Sequence, residues 1–496
     1  MKPQTVLVPL LAVLCQAIET ARCSSNIHYP GDSVYENRLE SYFSEIAKLR
    51  PQCLVQPVNT DEVASIVKTL VRANKTSPCH FAIRSGGHTP WAGASNIEDG
   101  VTVDLGFMNA TTYSQETNLA HVQPGARCAS VYSTLEKRGI AVAGGRSNTV
   151  GIGGLVLGGG ISYYSGTKGM VCDNVASFEV VLASGKIINA NHTAHADLFQ
   201  ALKGGSNNFG IVTKIDMFAF ERTNLWGGIV AYPSSTIPQH IKALVNFDTK
   251  KDPHASVIFM LAHDSTTKQT MVVNTYEYTK PVARAPIFND FLAIQNISDS
   301  TRITNMTDLT VEIENSFAYR HMFVTLTFQN DERVLQKGAA LFDAMVKKLT
   351  PKDEEWKFYT LFQHLPPIFA KHSAERGGNV LGLERFKTNN ILLMGYLSWK
   401  TPASDIIFQR ALHQLIADLS AFAKSIGRDN PFVYLNYADG AQDPLRSYGE
   451  ENVRKMRAAA EKYDPEGVFQ TMVPGGFKIP KVPRASGYAG RKRDEL

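Results

Sequence analysis

Apolar and polar positions alternate with two different periods along residues 50–220, and the switches between them outline a series of strands and helices. CLVQP reads as a strand. TDEVASIVKTLVRAN reads as an amphipathic helix with an acidic first turn, and HFAIRSGG as a strand running into a turn. VTVDLG, AHVQPGA and IAVAGG give further strands, with ASVYSTLEKRG a helix closed by glycine. SFEVVLASGKIINAN predicts a hairpin turning at Ser184-Gly185. ADLFQALKGG predicts a helix with a glycine stop, and FGIVTKIDMFAF a strand. Past residue 222 glycine thins out. Long helical patterns (LQKGAALFDAMVKKL, DIIFQRALHQLIADLSAFAKSIG) then alternate with strands (ASVIFMLAH, MFVTLTFQ, ILLMGYLSW). The second pattern predicts an antiparallel sheet with helices on one face, so the fold class is α+β.

Composition excludes some functions. With 44% hydrophobic and 20% charged residues the chain is an ordinary globular one, and its net charge of +5 is scattered except in the tail KIPKVPRASGYAGRKRDEL. Nucleic-acid binding would need basic residues clustered on one face, so no nucleic-acid partner is expected. Lys2 followed by an apolar run from Val6 to Leu14 predicts a cleaved signal segment over about 1–21. That run is shorter than the roughly 20 residues a bilayer span needs, and no later stretch qualifies. Secretory entry is also suggested by sequons at Asn74, Asn109, Asn191, Asn296 and Asn305 and by the terminal RDEL, which resembles an ER-retrieval signal. Cys53 and Cys79 each precede a strand-like run. If those strands are neighbours in a parallel sheet, the two thiols would pair in an oxidising lumen. No Cys/His spacing suits a metal.

The chemistry lies in three glycine-rich segments, RSGGH, GGRSNTVGIGGLVLGGG (144–160) and KGGSNNFGIV. A dinucleotide fingerprint fails, because the third glycine counted from Gly151 falls on Val156, and no phosphate-binding P-loop occurs. Glycine admits positive φ and close ligand approach, so successive N–H groups can converge on an anion such as a pyrophosphate.

In sequence order, IRSGGHTPWAGAS, GGRSNTVGIGGLVLGGGISYYSGTKGMVCDNV, LKGGSNNFGIVT and YLNYADG with its following helix resemble a known family. It is the vanillyl-alcohol oxidase/p-cresol methylhydroxylase-type FAD-linked oxidoreductases, in the berberine bridge enzyme-like branch and of the fungal secondary-metabolite kind. The resemblance implies an FAD-binding domain in two parts with mixed sheets (22–222), a substrate domain (223–430), a C-terminal segment returning to the FAD domain (431–478) and a basic tail (479–496). It implies covalent FAD through His88, whose neutral imidazole can attack an electrophilic carbon. Ser147 occupies the position from which many relatives make a second bond through cysteine, so a single link is expected. Val150 matches a position where valine accompanies reaction with oxygen.

Arg84, Ser85, Gly86, Gly87, Thr89, Ser95, Gly153, Gly154, Gly158 and Gly159 are expected around the cofactor on the same grounds. Gly210, Ile211 and Val212 would hold its other end, and Asn436 and Tyr437 would pack at the ring. For the catalytic base the candidates are Glu384 and Tyr396 on the substrate sheet, with Tyr434 and Tyr163 behind them. The implied reaction takes hydride from a small molecule to FAD and passes electrons to oxygen, giving hydrogen peroxide, with ring formation open. An oligosaccharide oxidase and a flavin-binding protein without turnover are the alternatives.

Overall fold

The computed structural model describes residues 26–312, 317–349 and 354–480. The expected signal segment and the RDEL terminus lie outside them. The first sheet has four strands in the order Ile27–His28, Cys53–Val55, Val101–Asp104, Phe81–Arg84, the last three parallel. Its central strands are buried along their whole length, as expected where both faces are covered. The helix Thr60–Asn74 packs with Val63, Ile66, Val67 and Leu70 inward. Its start is fixed by Asn59, whose side chain accepts from the Glu62 N–H.

This strand order overturns the Cys53–Cys79 pairing. Val101 is the register partner of both Cys53 and Phe81, so one whole strand separates the two cysteine-bearing segments. Two inter-strand spacings are about 9.6 Å, beyond the roughly 7 Å limit for a disulfide. Cys79 is a free, buried thiol, as are Cys128 and Cys172. Cys53 is disulfide-bonded.

A second, antiparallel sheet runs Thr111–Ser114, Leu119–Val122, Ile211–Phe218, Val175–Val181, Ile187–Asn191. Its last two strands are the expected hairpin, and Gly185 takes the left-handed conformation the turn needs (φ 74). The glycine run 144–160 is not loop throughout, since Ile152–Leu157 forms a short helix with Ile152 and Val156 buried.

The third sheet has nine strands, antiparallel throughout. Alternate residues serve its two faces. Phe259, Phe362, Leu393 and Val324 pack beneath helices Ile237–Thr249, Glu332–Leu349 and Asp405–Ser425. Ile258, Leu361, Met394 and Phe323, from four neighbouring strands, point the other way and gather around Phe43. The helices therefore cover one face, and the other turns toward the glycine loops.

The chain then returns to the first sheet. Helix Glu450–Tyr463 is tied to helix Ala196–Leu202 by Lys462 and Tyr463, both bonded to Asp197. The Met472 carbonyl accepts from the Phe81 N–H. Among the described residues no helix is long and apolar enough to cross a membrane. Asn74 and Asn109 are exposed, while Asn191, Asn296 and Asn305 are partly exposed.

Candidate active site

A cavity of about 320 Å³ lies between the glycine loops and the open sheet face. Its floor is backbone. Gly86 and Gly151 meet so closely that a Cβ on Gly86 would stand 2.6 Å from the Gly151 Cα, and one on Gly151 2.5 Å from the Gly86 nitrogen. Arg127 fastens the two loops, donating to the Thr149 carbonyl at 2.7 Å and the Gly86 carbonyl at 2.8 Å. Gly87 has φ 66, which lets the chain turn so that His88 follows into the cavity wall.

Most residues expected at the cofactor line this cavity. Ser85, Gly86, Gly87, His88, Thr89 and Ser95 come from the first loop. Ser147, Val150, Gly153 and Gly154 come from the second. Gly210, Ile211 and Val212 lie toward one end, and Tyr434, Asn436 and Tyr437 come from the C-terminal segment.

Three are placed elsewhere. The Arg84 side chain turns away from the cavity, donating to the Arg38 carbonyl and Ser41 Oγ and stacking 3.7 Å over Tyr42. Gly158 lies against Asn436, where a Cβ would come 1.9 Å from Oδ1, and Gly159 (φ 105) lies against Leu381. These two glycines shape the packing behind the cavity.

His88 is buried and its Nε2 lies 3.3 Å from Thr149 Oγ1, which is also 3.3 Å from Ser147 Oγ. Its ring stacks on Phe43 at 4.2 Å, and Phe43 stacks on His321 at 4.3 Å. Burial pushes the imidazole pKa down to about 3, with Arg127 and His321 acting in the same direction. His88 is therefore neutral at neutral pH, with a nitrogen lone pair available.

At the sheet side, Tyr437 Oη accepts from Arg146 Nη2 at 2.5 Å and from Gln363 Nε2 at 3.3 Å. Tyr434 is buried and accepts from Asn436 Nδ2 at 3.1 Å, and burial raises its pKa. Tyr163 donates to the Arg146 carbonyl at 3.4 Å and is likewise raised by burial. Tyr396 sits on the open sheet face outside the cavity lining, 3.0 Å from His321 Nδ1, its pKa also pushed up by burial.

Glu384, expected on the sheet, lies instead on the 3₁₀ turn Leu383–Arg385. It is exposed and outside the cavity. The sheet strand begins only at Asn390, after a turn opened by Gly382 with φ 69.

Sequence reasoning missed Arg146, Gln363 and Glu277. Arg146 could have been noticed as the sole charged residue in GGRSNTVGIGGLVLGGG. Glu277 is 2% exposed, pairs in register with Ser256 on the open face, and is pushed by burial up to about 8. Among the described residues no His/Cys/Asp/Glu cluster could hold a metal ion.

The donor set fits FAD. The glycine-rich loops let a ligand approach the backbone closely, a neutral imidazole lines the cavity, and an apolar wall suits a flat ring. Trp91 Nε1, at the cavity, is buried without a partner in the protein.

Comparison with known proteins agrees. Residues 51–191 match the family described as FAD binding domain. The chain is 43% identical over 475 residues to FAD-dependent monooxygenase sdcF of Emericella nidulans, covering 95% of this chain and 99% of that one. It is 40% identical over 480 residues to FAD-dependent monooxygenase drtC of Aspergillus calidoustus, covering 96% and 92%. Among solved structures, glucooligosaccharide oxidase from Acremonium strictum, which carries a 6-S-cysteinyl, 8α-N1-histidyl FAD, superposes with TM-score 0.74 at 18% identity over 95% of this chain and 100% of that one. The oxidase from Arthrobacter nicotinovorans acting on 6-hydroxy-D-nicotine gives 0.73 at 20% over 92% and 97%. The chain belongs to one family with the fungal FAD-dependent monooxygenases sdcF and drtC, has the fold of the vanillyl-alcohol oxidase/p-cresol methylhydroxylase-type and berberine bridge enzyme-like oxidases, and is an FAD-dependent oxidoreductase.

Proposed function

We propose that this enzyme is an oxidase of a small, largely apolar metabolite, a secondary-metabolite intermediate, and that it holds FAD through one covalent bond at His88. Bound at the glycine loops and His88, FAD would supply a two-electron acceptor for a substrate hydride, with oxygen as the final acceptor and hydrogen peroxide as its product. The observation carrying the reading is the Tyr437 hydroxyl, held by Arg146 and Gln363 where the apolar sheet face meets the glycine loops. There it can exchange a proton with a substrate oxygen or nitrogen as the C–H is broken. Tyr163, Tyr396 and Glu384 are outside the cavity lining, and Tyr434 is engaged by Asn436, which favours Tyr437 as the base. His88 has the neutrality a nucleophile needs. Ser147, with no thiol, supports a single attachment.

The wall of Ile258, Leu361, Met394 and Phe323 offers an oligosaccharide few polar contacts and favours a hydrophobic scaffold. Kinship with named oxidoreductases sets aside flavin binding without turnover. The relatives' names favour a second reading, in which oxygen enters the product. Secretory entry is part of the proposal, supported by the bonded Cys53, by the sequons and by the apolar N-terminal run. The test is acid precipitation of purified protein with its mass and visible spectrum. Wild type and Ser147→Ala should stay yellow with one added FAD, and His88→Ala should release all its colour to the supernatant. Turnover under isotopically labelled oxygen then separates peroxide formation from incorporation.

A further inference from the structure

Arg146 lines the cavity half-buried, and among the described residues it has no carboxylate ion-pair partner. One of its five N–H donors is engaged by a side chain, with Tyr437 Oη accepting from Nη2 at 2.5 Å. The ionisable groups around it are Tyr437, Tyr163, Tyr434, Glu277 and His364. Burial keeps Tyr163 and Tyr434 protonated and pushes Glu277 to about 8, while His364 is pushed down to about 4 and is neutral. Buried charges in folded proteins are paired, because an uncompensated one carries a large desolvation cost. Among the described residues the carboxyl beside the guanidinium, that of Glu277, makes no ion pair with it. Arg146 lines the same cavity as Tyr437 and the apolar side chains Ile258, Leu361, Met394 and Phe323.

The geometry points to a substrate that carries an oxygen anion, a carboxylate or an ionised phenol or enol, which Arg146 receives beside Tyr437. A planar fork of N–H donors suits either oxygen anion. The apolar wall of Ile258, Leu361, Met394 and Phe323 would take the rest of the molecule. This inference rests on the reading of the cavity as the oxidase site. It goes further in assigning Arg146 as the residue that selects the substrate's charge.

Benzoate, 4-nitrophenolate and neutral benzamide serve as probes, titrated into the holoprotein while the visible flavin band is followed. At least one anion should perturb the band saturably and bind about tenfold or more tightly than benzamide. Benzoate and nitrophenolate show whether the carboxylate or the phenolate is the better fit. Arg146→Gln should weaken the anion by at least about tenfold and leave both benzamide binding and FAD content unchanged, with Arg146→Lys in between. The inference is overturned if neither anion perturbs the wild-type spectrum, if benzamide binds as well as the anions, or if Arg146→Gln binds the anion as wild type does. Loss of FAD from both Arg146 variants overturns it too, since the cation would then serve the coenzyme. Wild-type protein devoid of FAD would instead sink the oxidase reading itself, so the two failures are distinguishable.

Discussion

The two walls of the cavity are made of different material. On one side the surface is largely main chain, where Gly86, Gly151 and Gly153 approach so closely that added carbon atoms would collide with neighbouring loops. On the other side the surface is side chain, with Ile258, Leu361, Met394 and Phe323 each contributed by a different strand. Where the loops touch, as at Gly86 and Gly151, the backbone wall has almost no freedom to change, because a single methyl group meets main-chain atoms. A side-chain wall can change size and polarity while its strands keep their register. On the proposed function, cofactor binding is thus tightly specified where the loops touch, and substrate fit is adjustable.

The contrast can be tested from the largest effect down. Tyr437→Phe removes the hydroxyl between the walls and should lower kcat by roughly 10²–10⁴ with FAD content intact, read by stopped-flow bleaching and by flavin absorbance. An unchanged kcat would remove Tyr437 from the chemistry. Gly151→Ala places a Cβ 2.5 Å from the Gly86 nitrogen, and purified protein should retain at least about tenfold less FAD. A fully yellow variant would show that the backbone wall can yield after all.

Glu277→Gln probes the sheet side. In the unfolded chain this carboxyl ionises at its ordinary pKa of 4.5, whereas in the folded protein it holds its proton up to about 8. The folded state binds the extra proton between those values, so this residue's contribution to stability falls as pH rises through the window, by at most about 5 kcal/mol. The glutamine variant should therefore melt higher than wild type at pH 8 and show little gain at pH 5. Equal gains at both pH values would mean that Glu277 is ionised in the fold. The smallest effect is expected at Glu384, where substitution by glutamine should leave kcat/KM within about twofold because the side chain lies in solvent outside the cavity.

The same contrast explains what could be read from the sequence. A glycine at a point of close approach is required by sterics, and RSGGH and the 144–160 run display that requirement directly. The hairpin at Ser184-Gly185 was legible for a similar reason, since its turn needs a positive φ that glycine supplies. The sheet wall was not. In NILLMGYLSW every position is buried, so alternation cannot say which side faces the cavity and which the helices. Arg84 escaped because its direction is set by Arg38 and Ser41, more than forty residues earlier in the chain. The Cys53–Cys79 expectation failed because sheet order is non-local, with the intervening strand coming from residues 101–104.

Each of the four strands behind the sheet wall gives one side chain to the pocket and sends its immediate neighbours under the helices. On the proposed function, four codons could therefore be rewritten to reshape what the enzyme accepts while leaving the interior that keeps it folded, and the glycine loops opposite, untouched. A gene duplicated within a biosynthetic lineage would find in this sheet a ready route to new products.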